Sequence, residues 1–167
     1  MSELHLAYLS LGSNIQPETN LVRAVERLQD FGKIEKISSV WESESVGAPG
    51  PNYLNACIQL VTPLSQWELK EQALLPIEID LGRRRSADRF APRTIDIDIV
   101  VFDDKSCDDK YWEQAFVVVP LAEIYPEYHN PLTLESISET AARLREKAWI
   151  ETRREVFNRF KRSSAGP

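Results

Sequence analysis

The sequence predicts an α+β fold of the ferredoxin-like βαββαβ type, a mostly antiparallel sheet with helices packed on it. The predicted elements run strand, helix, strand, strand, helix, strand, which is the order of that fold. The chain has 167 residues, and 43% of them are apolar, enough for one domain with a core. Because no linker or internal repeat divides the chain, residues 1–167 are predicted to form a single domain.

The first half of the pattern follows from apolar spacing and turn residues. Residues 4–11 predict a strand, and apolar side chains at helical spacing predict a helix over 17–30. Two more strands are predicted at 33–44 and 53–61. The stretch 46–52 between them is rich in glycine and proline and predicts a loop.

The second half contains the strongest strand of the chain. A helix is predicted from Pro63, with an interruption at Pro76, because proline cannot continue the helical hydrogen bonds. The strongest predicted strand covers 93–102. The remaining predicted elements are a polar loop at 103–113, a short apolar strand at 116–121 and a long C-terminal helix at about 134–160.

Composition narrows the class of protein. The formal charge of −6 argues against a dedicated nucleic-acid binder, and no apolar run reaches the roughly 18 residues needed to cross a membrane. Two cysteines are too few for a disulfide scaffold, and Cys57 is expected to be a core thiol. With no basic N-terminal region typical of a signal peptide, the expected location is the cytoplasm, and the expected state is a monomer.

Two aspartates on the strongest strand are the first candidate site. Asp96 and Asp98 are two residues apart, so they project from the same face of a strand, opposite the intervening isoleucines. Carboxylates at this spacing can hold one Mg²⁺ or clamp two. The alternative is a solvent-facing strand that happens to carry two acidic residues, and from the pair alone both interpretations stay open.

The segment before this strand is rich in arginine. Guanidinium groups bind phosphate oxygens in pairs and keep their charge, so arginines beside paired carboxylates favour a site for Mg²⁺ and ATP. The alternative is a solvated charged loop, which is the better interpretation for any one arginine alone. The arginines of this segment are Arg83, Arg84, Arg85, Arg89 and Arg93.

Smaller polar motifs allow two interpretations each. Tyr53 and Asn55 share a strand face, and together they can hold a flat heterocycle by stacking and hydrogen bonding. In isolation, a core tyrosine and a turn asparagine are the better interpretation. Asn14, in the Gly-Ser-Asn turn, is expected to cap the following helix rather than to contact a ligand.

Four ordered segments resemble the 6-hydroxymethyl-7,8-dihydropterin pyrophosphokinase family of folate biosynthesis. They read YLSLGSN at 8–14, PNYLNA at 51–56, IEIDLGR at 77–83 and RFAPRTIDIDI at 89–99. The last one follows the family signature RWGPRTLDLDI. The resemblance runs over about 6–102 and resumes at 116–126.

The resemblance implies a ferredoxin-like fold and transfer of the terminal pyrophosphoryl group of ATP to the hydroxymethyl group of a reduced pterin, leaving AMP. It implies that Asp96 and Asp98 hold two Mg²⁺ ions, and that Arg83 and Arg93 stabilise the transferring phosphates. It places Glu78, Arg85, Arg89, Arg93 and Ile99 at the ATP site. It places Ser43, Ser45, Val46, Tyr53, Asn55, Phe90 and Phe116 at the pterin site.

The chain also departs from the family pattern. Residues 44–46 read ESV in place of Pro-Pro-Leu, Phe90 replaces a tryptophan, and Leu75 stands where a glutamine is common. The family's Val-Pro-His motif is missing, and Gln114 occupies the place of a following arginine. The acidic stretch that replaces them predicts weaker ATP binding or a nucleotide contact supplied elsewhere.

Three hypotheses therefore remain at this point. The first is an active pyrophosphokinase. The second is a degenerate homologue that binds a pterin or nucleotide without turnover. The third, an RNA-binding module, shares the sheet layout, but the strands lack aromatic stacking motifs and the net charge is negative.

Overall fold

The architecture is an antiparallel sheet with helices on both of its faces. A computed structural model describes residues 3–47, 49–82 and 94–157. The strands are β1 His5–Ser13, β2 Lys33–Ile37, β3 Val40–Ser43, β4 Tyr53–Thr62, β5 Asp96–Phe102, β6 Lys105–Ser106 and β7 Ile150–Arg153. The helices are α1 Pro17–Leu28, α2 Gln66–Glu68, α3 Leu75–Asp80, α4 Ala115–Ile124 and α5 Ile137–Arg145. A π-helical turn, Leu69–Leu74, joins α2 to α3, and a 3-10 helix, Asp109–Glu113, precedes α4.

The sheet has the order β6-β5-β1-β4-β3-β7, and β2 pairs with β4 alongside β3. Every pair of neighbouring strands described is antiparallel. The expectation of an α+β fold with an antiparallel sheet is therefore confirmed. One irregularity lies between β1 and β5: Leu9 pairs with Ile99 and Tyr8 with Val101, so Val100 is an extra residue, a β-bulge.

Each face of the sheet buries its own core. The first core packs Leu9, Leu11, Ile97 and Ile99 against α1 and the helical segment from α2 to α3. The second core packs Tyr8, Cys57 and Trp41 against α4, α5 and the 3-10 helix. The strand residues of the two cores alternate along each strand, because successive side chains of a strand point to opposite faces. In the second core, Trp41 also donates its indole N–H to Glu123 of α4.

The helix starts and interruptions follow from local chemistry. A capping box begins α2 at Ser65, and a second begins α5 at Ser136. Proline at position 76 lacks the N–H that an α-helix needs, and the π-helical turn lies directly before it. The predicted interruption at Pro76 is thus observed as a local change of helix type, and the chain continues into α3.

The predicted strand at 116–121 is wrong, because this segment lies within α4. Its run of three valines favours a strand by propensity alone. In the structure, Val117, Val118, Val119 and Leu121 are all buried between the sheet and α5. A helix satisfies its own backbone hydrogen bonds, which suits a segment enclosed on most sides.

The long C-terminal helix predicted at about 134–160 is also wrong. Helix α5 has nine residues, and the chain then returns as β7, which pairs with β3. The apolar stripe of α5 ends at Leu144, because the next helical positions on that face hold Lys147 and Ala148. Adding a strand at the edge of β3 buries Ile150 and satisfies the backbone there. Residues 158–160 lie outside the described part of the chain.

Two further segments differ in detail from the prediction. The strand expected at 33–44 is broken into β2 and β3 at Ser38, whose N–H donates to the carbonyl of Cys57 at 2.9 Å. The loop expected at 103–113 contains β6 and the 3-10 helix. No helix among the described residues combines the length and apolar character needed to span a membrane.

Candidate functional site at one end of the second sheet face

One face of the sheet carries the second core. At one end of that face, past the apolar residues of the core, the side chains are polar. The register places Trp41 opposite Asn55, Asn55 opposite Gly12, and Gly12 opposite Asp96. Four strands thus contribute neighbouring positions to one row across the sheet. Ser43, Tyr53 and Asp98 extend this row on the same face, by the two-residue alternation of each strand.

The two aspartates lie on one side of β5. Asp96 is half-buried and Asp98 is exposed, whereas Ile97 between them is buried in the first core. Their Cα atoms are about 6.6 Å apart at the rise of a strand, which lets the carboxylates share one cation or hold two. Among the described residues, no three His, Cys, Asp or Glu side chains form a metal-binding group. Two carboxylates alone suit Mg²⁺, which completes its coordination with water and phosphate oxygens.

Asn55 provides an oriented amide at the other end of the row. It is 2% exposed, and its Nδ2 donates to the carbonyl of Trp41 at 3.1 Å and to Oγ of Ser43 at 2.8 Å. Because these two acceptors engage the nitrogen, the orientation of the amide group is fixed. Its Oδ1 therefore faces away from β3, toward Gly12.

Gly12 places bare backbone between the amide and the acidic pair. A β-carbon built on Gly12 would lie 3.3 Å from Oδ1 of Asn55 and 3.9 Å from Cδ1 of Tyr53. The absence of a side chain therefore exposes both groups to anything that lies on β1. Asn14 does not cap α1 as expected: the N-cap is Gln16, and Nδ2 of Asn14 donates to the carbonyl of Pro51 at 3.3 Å. This bond connects the end of β1 to the loop at 46–52.

Glu78 holds the backbone of β5 at the acidic pair. It lies on α3, is 3% exposed, and its Oε1 accepts the N–H of Ile97 at 2.9 Å. Strand β6 pairs only with Val101 and Phe102, so it does not cover this part of the outer edge of β5. Glu78 thus satisfies an edge N–H between the two aspartates. Its predicted contact with a nucleotide stays a prediction.

The arginine-rich segment lies outside the described residues, although both of its ends are described. Gly82 has a φ of +96°, and a β-carbon built on it would lie 3.8 Å from Cγ2 of Thr94. Gly82 and Thr94, the described residues on either side of the segment, are therefore close together, and Thr94 is two residues before Asp96. The predicted site residues outside the described part are Arg83, Arg85, Arg89, Phe90 and Arg93.

The other predicted ligand contacts occupy different surroundings. Ser45 is half-buried and Val46 is 64% exposed, both in the chain after β3. Phe116 is half-buried at the start of α4 and packs against the second core. Ile99 is buried in the first core, on the sheet face opposite the aspartates, so only its backbone can face a ligand on their side.

Tyr111 belongs to the site and was missed from the sequence. It lies on the 3-10 helix and is 7% exposed. Burial raises the pKa of its phenol, and the negative charges of Asp98 and, more weakly, Asp96 raise it further. The 3-10 helix begins two residues after Cys107, whose N–H donates to the carbonyl of Val100 at 3.0 Å, so Tyr111 lies on the segment that meets β5 beside the acidic pair. The signal in the sequence was the aromatic pair Tyr111-Trp112 within an otherwise polar stretch.

The site lies at one end of the sheet and combines paired carboxylates with an oriented amide. An antiparallel α+β fold with such a site belongs to the class of domains that bind small molecules on a sheet. The family model described as 7,8-dihydro-6-hydroxymethylpterin-pyrophosphokinase (HPPK) matches residues 8–126. The chain belongs to this family.

Relatives named 2-amino-4-hydroxy-6-hydroxymethyldihydropteridine pyrophosphokinase align over most of the chain. The protein from Synechocystis sp. is 35% identical over 146 residues, which cover 81% of this chain and 74% of the relative. The protein from Bacillus subtilis is 33% identical over 152 residues, which cover 84% of this chain and 90% of the relative.

Solved structures share the fold at low sequence identity. A crystal structure of HPPK-DHPS in complex with substrates has a TM-score of 0.65 and 13% identity, covering 87% of this chain and 44% of that chain. Wild-type Plasmodium falciparum HPPK-DHPS has a TM-score of 0.61 and 12% identity, covering 88% of this chain and 46% of that chain. The chain thus spans less than half the length of these two structures, and the likeness concerns the fold.

Proposed function

We propose that the chain transfers the terminal pyrophosphoryl group of ATP to the hydroxymethyl group of 6-hydroxymethyl-7,8-dihydropterin in folate synthesis, releasing AMP. Membership of the HPPK family supports this reaction. The observation that carries it is the row Asn55–Gly12–Asp96, in which an amide and a carboxylate flank a bare strand position. Two strand spacings separate them by roughly 10 Å, which leaves room for a ring beside a polyphosphate.

The pterin binds at the amide end of the row. Asn55 presents Oδ1 as an acceptor for ring N–H groups, because its nitrogen is engaged by Trp41 and Ser43. Tyr53 lies beside it on the same strand face and offers an aromatic surface. Ser45 and Val46 close the pocket from the loop, and Phe90 and Phe116 contribute further apolar contacts.

The polyphosphate binds at the acidic end of the row. Asp96 and Asp98 would hold two Mg²⁺ ions, and the bound metal would supply positive charge against the phosphates. The hydroxymethyl oxygen forms a bond to the β-phosphorus, the bond from that phosphorus to the α,β-bridging oxygen breaks, and AMP leaves with this oxygen. The hydroxyl proton passes to water or to the departing AMP phosphate as the new bond forms.

The arginine segment contributes positive charge from the side of Gly82 and Thr94. Arg83 and Arg93 stabilise the transferring phosphates, and Arg85 and Arg89 bind the nucleotide with Glu78 and the backbone of Ile99. Both ends of the segment join the described structure just before Asp96, which supports this placement.

The finer features of the fold and setting belong to the same proposal. The sequence β5-β1-β4-β3 within the sheet supports a ferredoxin-like core. We also infer that the protein works as a monomer in the cytoplasm, without a nucleic-acid partner. Size-exclusion chromatography with light scattering tests the first of these, and a dimer at micromolar concentration contradicts it.

The reaction is tested by following AMP formation with ATP, Mg²⁺ and the reduced hydroxymethylpterin. Wild type forms AMP only when all three are present, and Asp98→Ala lowers kcat on the order of a thousandfold, because a metal ligand is lost. The matched control is Asp30→Ala, which removes an exposed aspartate beyond the end of α1 and leaves the rate unchanged. Pure folded protein that binds the pterin but forms no AMP contradicts the proposal.

A further inference from the structure

The segment between β5 and α4, residues 103–114, is fully described. It carries only two cations, Lys105 and Lys110, among several acidic residues. Lys105 pairs with Phe102 at the hairpin end of β5, away from the aspartates. Lys110 is therefore the remaining candidate in this segment for a positive charge beside the acidic pair.

The backbone brings Lys110 back toward the acidic pair. After β6, the N–H of Cys107 donates to the carbonyl of Val100 at 3.0 Å, so the chain runs beside β5 two residues from Asp98. Asp108 then turns the chain: its side chain accepts the N–H of Lys110 at 3.0 Å and starts the 3-10 helix. Lys110 and Tyr111 thus follow directly after the point where the segment touches β5.

The ammonium group of Lys110 lies over the ring of Tyr111. Its Nζ is 5.3 Å from the ring centroid, within the range of a cation–π contact. Its one described ion-pair partner is Asp108, at 3.8 Å, and the lysine side chain is 60% exposed. These contacts are weak, so the ammonium group can turn to a stronger anion without breaking a buried pair.

The ring of Tyr111 connects this ammonium group to the acidic pair. The ring is buried in the second core, which fixes its position. It belongs to the same core as Val100, and Cys107, four residues before it, donates its N–H to the carbonyl of Val100, two residues from Asp98. A lysine held on this ring stands beside the place where a metal-bound polyphosphate would project from the two aspartates.

We propose that Lys110, held on the ring of Tyr111, binds a phosphate group of the metal-bound nucleotide. Lys110 is a binding residue, and Tyr111 is a positioning residue that acts through it. This inference rests on the proposed function, because it assumes a nucleotide at Asp96 and Asp98.

Calorimetry with Mg²⁺ and a non-hydrolysable ATP analogue tests the inference on wild type and variants. Lys110→Ala weakens nucleotide affinity about tenfold, the expected effect of losing one exposed charged hydrogen bond. Tyr111→Leu weakens it by a smaller factor, whereas Tyr111→Phe keeps the ring and stays near wild type. Pterin affinity is unchanged in Lys110→Ala, and Lys110→Arg retains most of the nucleotide affinity.

The matched control is Lys105→Ala, which removes the same charge from the same segment at the far end of β5. Equal nucleotide affinities for Lys110→Ala and Lys105→Ala overturn the inference. Its failure is distinguishable from that of the proposed function: wild type that forms AMP while Lys110→Ala binds normally overturns only the role of Lys110. Wild type that binds no nucleotide overturns both.

Discussion

At the scale of single residues, the site depends on groups whose orientation is set before any ligand arrives. The amide of Asn55 is fixed by two hydrogen bonds to β3, and Ile97 is fixed by the carboxylate of Glu78. Ordering these groups is part of folding, so binding does not lose that conformational entropy a second time. A small shift of either support should therefore affect binding more than it affects the fold.

The absence of a side chain at Gly12 leads to a specific prediction at the scale of one residue. Gly12→Ala places a methyl group 3.3 Å from Oδ1 of Asn55, so either the amide rotates or the pterin is displaced. We expect pterin affinity to fall by about 10–200-fold, the usual effect of one extra carbon in a fitted pocket. Calorimetry with the pterin alone measures this. Affinity for the ATP analogue serves as the internal control, and wild-type pterin affinity in the variant would show that no ligand lies on Gly12.

At the scale of elements, the packing of the α1–β2 connection against β4 is unusually close. A β-carbon built on Gly32 would lie 2.3 Å from the carbonyl oxygen of Val61 and 3.1 Å from Cβ of Thr62. Thr62 also donates its hydroxyl to the carbonyl of Phe31 at 2.7 Å, which holds the two segments together. The chain can turn from α1 into the sheet here because glycine has no side chain.

Gly32→Ala is accordingly expected to destabilise the protein. Because backbone must move to admit the methyl group, the free energy of unfolding should fall by about 1–3 kcal/mol. Urea unfolding followed by circular dichroism measures the difference. Gly50→Ala is the matched control: its β-carbon would meet Oγ of Ser45 at an ordinary 3.6 Å, and its effect should stay within about 0.5 kcal/mol. Equal stabilities for the two variants would contradict the packing argument.

At the scale of the whole molecule, Arg153 connects parts of the chain that are far apart in sequence. From β7 it bonds Glu42 of β3 at 2.9 Å and Glu155 at 2.7 Å, and it approaches Glu18 of α1 at 3.4 Å. Hydrogen bonds from Asn52 and then from Arg153 hold the pKa of Glu42 below its usual value of 4.5. These contacts attach the C-terminal strand to the rest of the fold.

The stabilising effect of Arg153 should therefore depend on pH in a defined direction. A carboxylate whose pKa is lowered by folding adds stability above its unfolded pKa and loses it as the pH falls through the folded value. We expect Arg153→Met to lower the Tm by a few degrees at pH 7, and the difference from wild type to shrink below about pH 4.5. Thermal unfolding from pH 7 to pH 3 tests this. A difference that grows on acidification would contradict it.

Much of the fold could be predicted from the sequence, because its strands have alternating burial and its turns carry glycine and proline. The segments at 116–121 and 134–160 could not, because tertiary surroundings decided them. The three valines lie in α4, which is buried between the sheet and α5. The chain after α5 forms the edge strand β7, which pairs with β3. Local propensity carries neither kind of information.

The site residues also divide into those that could be predicted from the sequence and those that could not. The shared face of Asp96 and Asp98 could be derived from strand periodicity, and the resemblance led to Asn55 and Ser43. The role of Glu78 on the Ile97 backbone could not be derived, since an edge N–H is visible only once the sheet order is known. Tyr111 was missed because only the fold of the hairpin brings its segment back against β5.

The extra residue at Val100 separates the two halves of β5. Without it, the side chains of β5 would alternate strictly between the two sheet faces, so the orientation of the aspartates would be coupled to that of the residues in the hairpin. With it, Val100 and Val101 both join the second core, and the phase of the strand is reset before Phe102. A change in the length of the segment between β6 and α4 is therefore expected to leave the orientation of the two carboxylates unchanged.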